Sequence, residues 1–248
     1  MLDKLDFGRT ECVVRVNAVS SGLMEEDLRV ILQAKRMPST IMLPKVDRPE
    51  EIDHFTKRLK SAMKDRPDST RPYLITFVES AMGLMNLKNI FSKAYDLQLK
   101  EKLYILDGVV FGSDDYCADI GATRTSDALS LLYARQKIVA CAKAFRLQAI
   151  DMVDIDYKDL EGLKKQATEG ANMGFTGKQV IHPNQIPIVQ DTFCPSKDQI
   201  EWAKELIQAF EHHQKSGLGA FTFQNRMIDM PLVLQARNIV QLAESINI

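Results

Sequence analysis

The sequence predicts an α/β fold of about six βα units around a parallel sheet, and three observations carry that prediction. Six short, nearly continuous apolar runs recur between residues 12 and 183, as strands buried on both faces of a parallel sheet require. Longer amphipathic stretches alternate with them, which is the pattern of βαβ units. Most runs lead into a polar or charged residue, namely Asn17, Glu79, Asp115 and His182. Active groups at the C-terminal ends of parallel strands mark a (β/α)8 barrel, which needs eight strands in roughly 250 residues. Six strands therefore leave two arrangements open: an open sheet, or a barrel lacking two strands at its N-terminal side.

The strands are expected at residues 12–17, 41–46, 74–79, 108–112, 149–153 and 177–182. Residues 24–35 read as a helix, with Leu28, Ile31 and Leu32 on one face behind Glu25, Glu26 and Asp27. Pro49-Glu50-Glu51 opens a second helix carrying Ile52, Phe55 and Leu59, because proline and acidic residues suit a first turn. Residues 126–145 and 158–173 give two more. After about residue 195 the strand pattern stops. Residues 197–214 and 232–246 read as helices, separated by a glycine-punctuated loop and a compact aromatic stretch over 221–231. The chain accordingly divides into a barrel domain, 1–195, and a C-terminal helical segment, 196–248.

Composition narrows the function. The 248 residues are 45% hydrophobic and 26% charged, enough for an ordinary packed core, and 32 basic against 33 acidic residues give a net charge of -1. No nucleic-acid partner is expected from that balance. No membrane partner is expected either, since no run approaches the roughly 20 apolar residues of a span. Cys12, Cys117, Cys141 and Cys194 form no CxxC pair, so neither a disulfide frame nor a zinc knuckle is expected. The first residues show no apolar or basic leader pattern.

Glu79 and the Asp114-Asp115 pair come after successive strands. Two carboxylates at neighbouring strand ends can converge on a hard cation such as Mg²⁺, with water and substrate completing the octahedron; alternatively they cap helices. Arg15 lies inside an apolar strand, where it needs either an anionic substrate oxygen or a structural ion pair. His182 is either a structural residue or a site group, and Asp229 has the place of a helix cap before Pro231.

The motifs add up to a resemblance. Phe111-Gly112-Ser113-Asp114-Asp115-Tyr116, followed by Ala118-Asp119-Ile120-Gly121, resembles the FGxxD…DxG signature of the citrate lyase β-subunit and malyl-CoA lyase family. Arg15-Val16-Asn17, Leu43-Pro44-Lys45-Val46, Phe77-Val78-Glu79-Ser80 and the run from Gly174 to Gln185 fit the same family. So do Gly219-Ala220-Phe221 and Met227-Ile228-Asp229-Met230-Pro231, and the likeness covers residues 11–246.

The resemblance implies a TIM-type barrel of the phosphoenolpyruvate/pyruvate-like superfamily with a C-terminal helical lid. The family's first two βα units have no counterpart here, so an N-terminally incomplete barrel of about six units, without a transit peptide, is expected. It also implies Mg²⁺ on Glu79 and Asp115, the latter preferred to Asp114 because it stands three residues after Gly112. Arg15 would contact an α-keto acid, Ile181 and His182 would lie beside the acyl-CoA, and Asp229 would be the general acid/base of the lid. The implied activity is carbon–carbon cleavage of a 3-hydroxyacyl-CoA such as (3S)-citramalyl-CoA to acetyl-CoA and pyruvate. Malyl-CoA lyase or malate synthase side activity, a mitochondrial location and a homo-oligomer, specifically a trimer, come with it. Two alternatives stand beside this reading: an inactive scaffold or subunit partner, and a class II aldolase acting on free hydroxy-keto acids.

Overall fold

The computed structural model describes residues 6–8, 10–64, 71–216 and 221–245. They form two compact units, Met1–Gln185 and Ile186–Ile248. Gly219 and Ala220, part of one family motif, lie outside the described residues.

The first unit carries β1 (Val13–Arg15), β2 (Thr40–Leu43), β3 (Tyr73–Val78), β4 (Ile105–Phe111), β5 (Gln148–Asp151) and β6 (Gly177–Lys178). All are parallel and neighbour one another in sequence order. This sequential winding, with no reversal of strand order, is that of a TIM-type barrel, here present as six strands. The inward face holds Ile75, Phe77 and Val110, with Met42 and Ile150 against them. The helices α1 (Met24–Gln33), α2 (Pro49–Ala62), α3 (Ala81–Glu101), α4 (Ser113–Ile120), α5 (Leu132–Ala144) and α6 (Leu160–Met173) fall between the strands. Their buried faces supply Leu28, Ile52, Phe55, Leu59, Leu87, Ile90, Phe91, Ile138 and Leu163, each worth roughly 1.5–3 kcal/mol when removed from water.

Three expectations for this first unit need correcting. β1 pairs only with β2 among the described residues, its residues are half-buried or exposed, and Arg15 is exposed; it is not a doubly buried strand. The sixth strand, the last of the parallel sheet, ends at Lys178, so Ile181 and His182 sit in the loop beyond it rather than on it. The long helix begins at Leu132, not at residue 126. The reason is local: Asp127 accepts bonds from the Thr125 hydroxyl and the Leu129 amide, and Ala128 adopts a left-handed φ of 49°.

The second unit holds α7 (Ile186–Phe193), α8 (Lys197–Ser216), β7 (Phe221–Phe223), β8 (Arg226–Ile228) and α9 (Met230–Ser245). The strands are antiparallel and joined by Gln224 and Asn225, both left-handed at φ 48° and 61°. Two successive left-handed residues match a tight hairpin turn to the strand twist. This hairpin corrects the expectation that strands end near residue 195. Trp202, Phe210, Phe221 and Phe223 pack around Ala203, Leu206, Ile228, Val233 and Ala236. The aromatic residues of the tail therefore fill its own core.

Candidate metal and substrate site

Parallel neighbours bring the carboxyl ends of β2, β3 and β4 together, and the residues directly after these strands build the candidate site. Glu79 comes directly after β3 and is buried. Ser80 then turns the chain into α3, its hydroxyl accepting from the Gly83 amide at 2.9 Å. Gly112 ends β4, and α4 starts at once with Asp114 and Asp115 in its first turn, where the helix dipole favours negative charge. Gly112 is dictated by space. A Cβ there would lie 2.4 Å from Cγ of Glu79 and 3.0 Å from its Oε1, so the glutamate occupies the volume that any larger residue would fill.

Lys45, just after β2, ties the pair together. Its backbone amide donates to Oε2 of Glu79 at 2.6 Å, and its ammonium donates to Oδ1 of Asp115 at 3.1 Å. Burial pushes the Glu79 carboxyl above its ordinary range, and the negative charge of Asp115 pushes it further. The Lys45 amide, the Lys45 ammonium and Arg15 pull the other way. Asp114 is engaged elsewhere, accepting from Nη1 of Arg124 at 2.7 Å while Arg124 also donates to the Val153 carbonyl. Ser113, between Gly112 and Asp114, is 1% exposed and its hydroxyl has no hydrogen-bond partner.

Arg15 faces this group from the end of β1. Its guanidinium stands 6.0 Å from the Phe77 ring centroid, and its charge acts on both Glu79 and Lys45. It is not buried in a structural ion pair, and its exposure leaves the guanidinium accessible to an anion. Ile181 is 59% exposed and His182 half-buried, in a loop fastened by Gln185. The Gln185 side-chain oxygen accepts from the amides of Ile181 at 2.9 Å and His182 at 3.3 Å, and its nitrogen donates to the Asp154 carbonyl. His182 stacks on Tyr157 with centroids 4.9 Å apart, and its Nδ1 accepts from the Asn184 amide. Gln179 extends the same loop toward β4, donating to the Phe111 carbonyl at 2.9 Å.

Asp229 belongs to the second unit. Its Oδ1 accepts from the Leu232 amide at 3.2 Å at the start of α9, the contact of an N-cap. The structure thus brings Glu79, Asp115 and Arg15 to one group of strand ends. It places Ile181 and His182 on the loop after β6, and Asp229 in a separate unit. The residue that sequence reasoning misses is Lys45, whose left-handed φ of 52° has no signature in the run Leu43-Pro44-Lys45-Val46.

Among the described residues no three or more His, Cys, Asp or Glu side chains gather into a metal cluster. A site here has two protein carboxylates, and its chemistry fits a hard divalent cation that keeps water and substrate as its other ligands. Two acids that repel one another, one of them desolvated, form a group that such a cation would relieve.

The sequence pattern described as HpcH/HpaI aldolase/citrate lyase matches residues 1–183. The chain is 56% identical over 245 residues to the human mitochondrial citramalyl-CoA lyase, an alignment covering 99% of this chain and 72% of that protein. It is 30% identical over 246 residues to the citrate lyase subunit beta of Leuconostoc mesenteroides, covering 98% and 78% of the two chains. Protein CitE from Mycobacterium tuberculosis, solved with magnesium, acetoacetate and coenzyme A, superposes with a TM-score of 0.69 at 27% identity. That match covers 94% of this chain and 78% of CitE.

Proposed function

The chain belongs to the HpcH/HpaI aldolase/citrate lyase family, and from that premise we propose that it is a Mg²⁺-dependent carbon–carbon lyase of CoA thioesters. Its substrate is (3S)-citramalyl-CoA, cleaved to acetyl-CoA and pyruvate. The observation that carries this reading is the convergence of Glu79 and Asp115 on Lys45, with Arg15 beside them. A relative 56% identical that bears the name citramalyl-CoA lyase supports the substrate, and a relative solved with magnesium and coenzyme A supports the cofactor and the thioester.

Glu79 and Asp115 would hold the cation. When bound, Mg²⁺ supplies Lewis acidity to the hydroxyl and carboxylate oxygens of the substrate. The protein's own groups do the rest. Arg15 places a delocalised cation against the oxygens of the departing keto acid, where negative charge develops. Ile181 and His182 line the thioester, on a loop that Gln185 keeps in one shape. Cleavage passes the hydroxyl proton to Asp229 acting as base, breaks the bond between the carbinol carbon and the carbon next to the thioester, and leaves pyruvate and the enolate of acetyl-CoA. Asp229 returns a proton to that carbon, or takes one from it in the condensation direction. With glyoxylate as acceptor the same groups join acetyl-CoA to it as malyl-CoA, the reverse of malyl-CoA lyase side activity, and hydrolysis of that thioester by water gives malate and CoA, the malate synthase side activity.

The mitochondrial name of the mammalian relatives supports the same location here. Exposed Met227, Met230, Leu234 and Leu242 on the second unit support a homo-oligomer, since exposed apolar surface favours association, and the trimer rests on the family resemblance alone.

The family also contains aldolases, which keeps one competing reading alive. The test is chromatographic detection of products after incubation with citramalyl-CoA or with free citramalate, both with Mg²⁺. Acetyl-CoA and pyruvate from the thioester alone support the proposal. Pyruvate from the free acid without turnover of the thioester assigns an aldolase, and no turnover of either assigns a scaffold.

A further inference from the structure

Lys45 is one of six non-glycine residues with positive φ among the described residues. The others fall at helix ends, at the Ala128 turn and in the hairpin, whereas Lys45 lies in the extended connection between β2 and α2. A left-handed φ is unfavourable for a residue with a Cβ and persists only where the surroundings over-determine it. Here they do. Asp47 takes the Ser80 hydroxyl on its carboxylate, its amide donates to Glu51 at 2.6 Å, and its carbonyl accepts from Asn86 at 2.8 Å. The start of α3 closes against the same segment, since a Cβ on Gly83 would lie 2.9 Å from the Val46 carbonyl oxygen. The outcome of this bracing is that one residue reaches both acids, the amide on Glu79 and the ammonium on Asp115.

We propose that Lys45 is the positioning residue of the carboxylate pair, its amide fixing Glu79 while its ammonium stands beside Asp115 in the place a divalent cation takes. This rests on the metal reading given above and adds to it a built-in competitor. Without metal, the ammonium holds Asp115 in position against the repulsion of Glu79. When the cation binds, the ammonium yields Asp115 to it, and the Lys45 amide stays on Glu79. The half-exposed side chain has room to withdraw.

The consequence is a direction that a purely structural lysine does not produce. Removing the ammonium keeps both carboxylates and the amide but removes a positive charge from beside the cation. Coulomb's law for a unit and a double charge about 6 Å apart in water corresponds to about a tenfold change in affinity. The experiment is calorimetric titration of Mg²⁺ alone, without substrate, into the wild-type chain, Lys45→Met, Lys45→Arg and Lys45→Gly. Lys45→Gly relieves the left-handed strain, so it folds even if the methionine variant does not. The expected result is about tenfold tighter Mg²⁺ binding by Lys45→Met and Lys45→Gly, with Lys45→Arg close to wild type. Unchanged or weaker binding by both uncharged variants overturns the role of Lys45 and leaves the metal reading standing. A wild-type chain that binds no Mg²⁺ overturns the metal reading and this proposal with it.

Discussion

Gly112→Ala adds a single methyl group to the protein and aims it at Glu79. The backbone accepts alanine without strain, because Gly112 has φ −83°. The new Cβ would start 2.4 Å from Glu79 Cγ and 3.1 Å from its Cδ. Carbon atoms settle at about 3.5–4.0 Å, so the glutamate must withdraw by roughly 1 Å. Its Oε2 is held at 2.6 Å by the Lys45 amide, and the same movement stretches that bond beyond the about 3.2 Å limit of a good one. Over-packing of this kind costs about 1–3 kcal/mol of stability, and a displacement of about 1 Å in a reacting constellation costs about 10²-fold in rate. The assay is citramalyl-CoA cleavage against Mg²⁺ concentration, with a thermal melt of the same sample. The expected outcome is a folded protein, a rate down by about 10²-fold and a Mg²⁺ saturation curve moved to higher concentration. Gly108→Ala is the control. It crowds Gln148 at 3.2 Å further back on the same strand, so it should lower the melt and leave the Mg²⁺ midpoint alone. A Gly112→Ala enzyme with the parent's rate and the parent's Mg²⁺ curve would refute the claim that Glu79 must sit where it does.

Other consequences reach beyond the carboxylate pair. Asp229→Asn retains an oxygen for the Leu232 amide, so the cap and the melt should survive while turnover drops by about 10²–10⁴-fold; near-parent turnover removes Asp229 from proton transfer. Arg135 and Asp151 form a buried pair with contacts of 2.6 and 3.1 Å, at 1% and 0% side-chain exposure. Arg135→Met strands the carboxylate and should cost about 3–5 kcal/mol in a urea titration, and a loss below about 1 kcal/mol contradicts that. Lys178 donates to the Met152 carbonyl at 2.6 Å and to Gln166, and burial lowers its pKa from 10.5 to about 8 despite Asp151 and Asp154. Its folded-state pKa lies below the unfolded one, so the unfolded chain binds more protons between those values. Stability should therefore rise from about pH 8 to about pH 10.5 by up to roughly 3 kcal/mol from this group. Lys178→Met should lack that rise, and identical pH profiles for the two proteins dismiss the effect.

What was legible in the sequence was whatever is fixed by burial on a two-residue or continuous period. Each of the six apolar runs contains a strand, and β2 to β5 hold the buried interior of the parallel sheet as such runs require, whereas β1 is half-buried or exposed and β6 keeps only Gly177 and Lys178. Glu79 stood out because a polar residue directly after such a strand is conspicuous, while the Asp114-Asp115 pair stood out just past Gly112 and only the family resemblance chose Asp115 from it. The helix Ala81–Glu101 was harder to read. Met82 and Met85 lie exposed off the face that buries Leu84, Leu87 and Phe91, and Tyr95 and Leu99 lie exposed further along the helix, so apolar residues outside the buried face blur the helical period. The hairpin was hidden because its turn is Gln224-Asn225 rather than the usual asparagine–glycine pair. Lys45 was invisible as a site residue because its role arises from a backbone angle enforced by Asp47, Ser80, Gly83 and Asn86. None of these contacts can be read from the local sequence. Arg15 was singled out as an arginine inside a buried strand, whereas it is exposed on β1.

The central claim is that Glu79 and Asp115 together make this chain a metal-dependent lyase. It is tested most directly by titrating Mg²⁺ into the wild-type chain, Glu79→Gln and Asp115→Asn while following pyruvate release from (3S)-citramalyl-CoA. Both substitutions keep volume and remove one ligand charge. The expected result is a wild-type rate that saturates with Mg²⁺ and vanishes with a chelator, and a Mg²⁺ midpoint raised by about tenfold or more in each variant. A wild-type rate indifferent to the chelator, or variant curves that overlay the parent's, would contradict it.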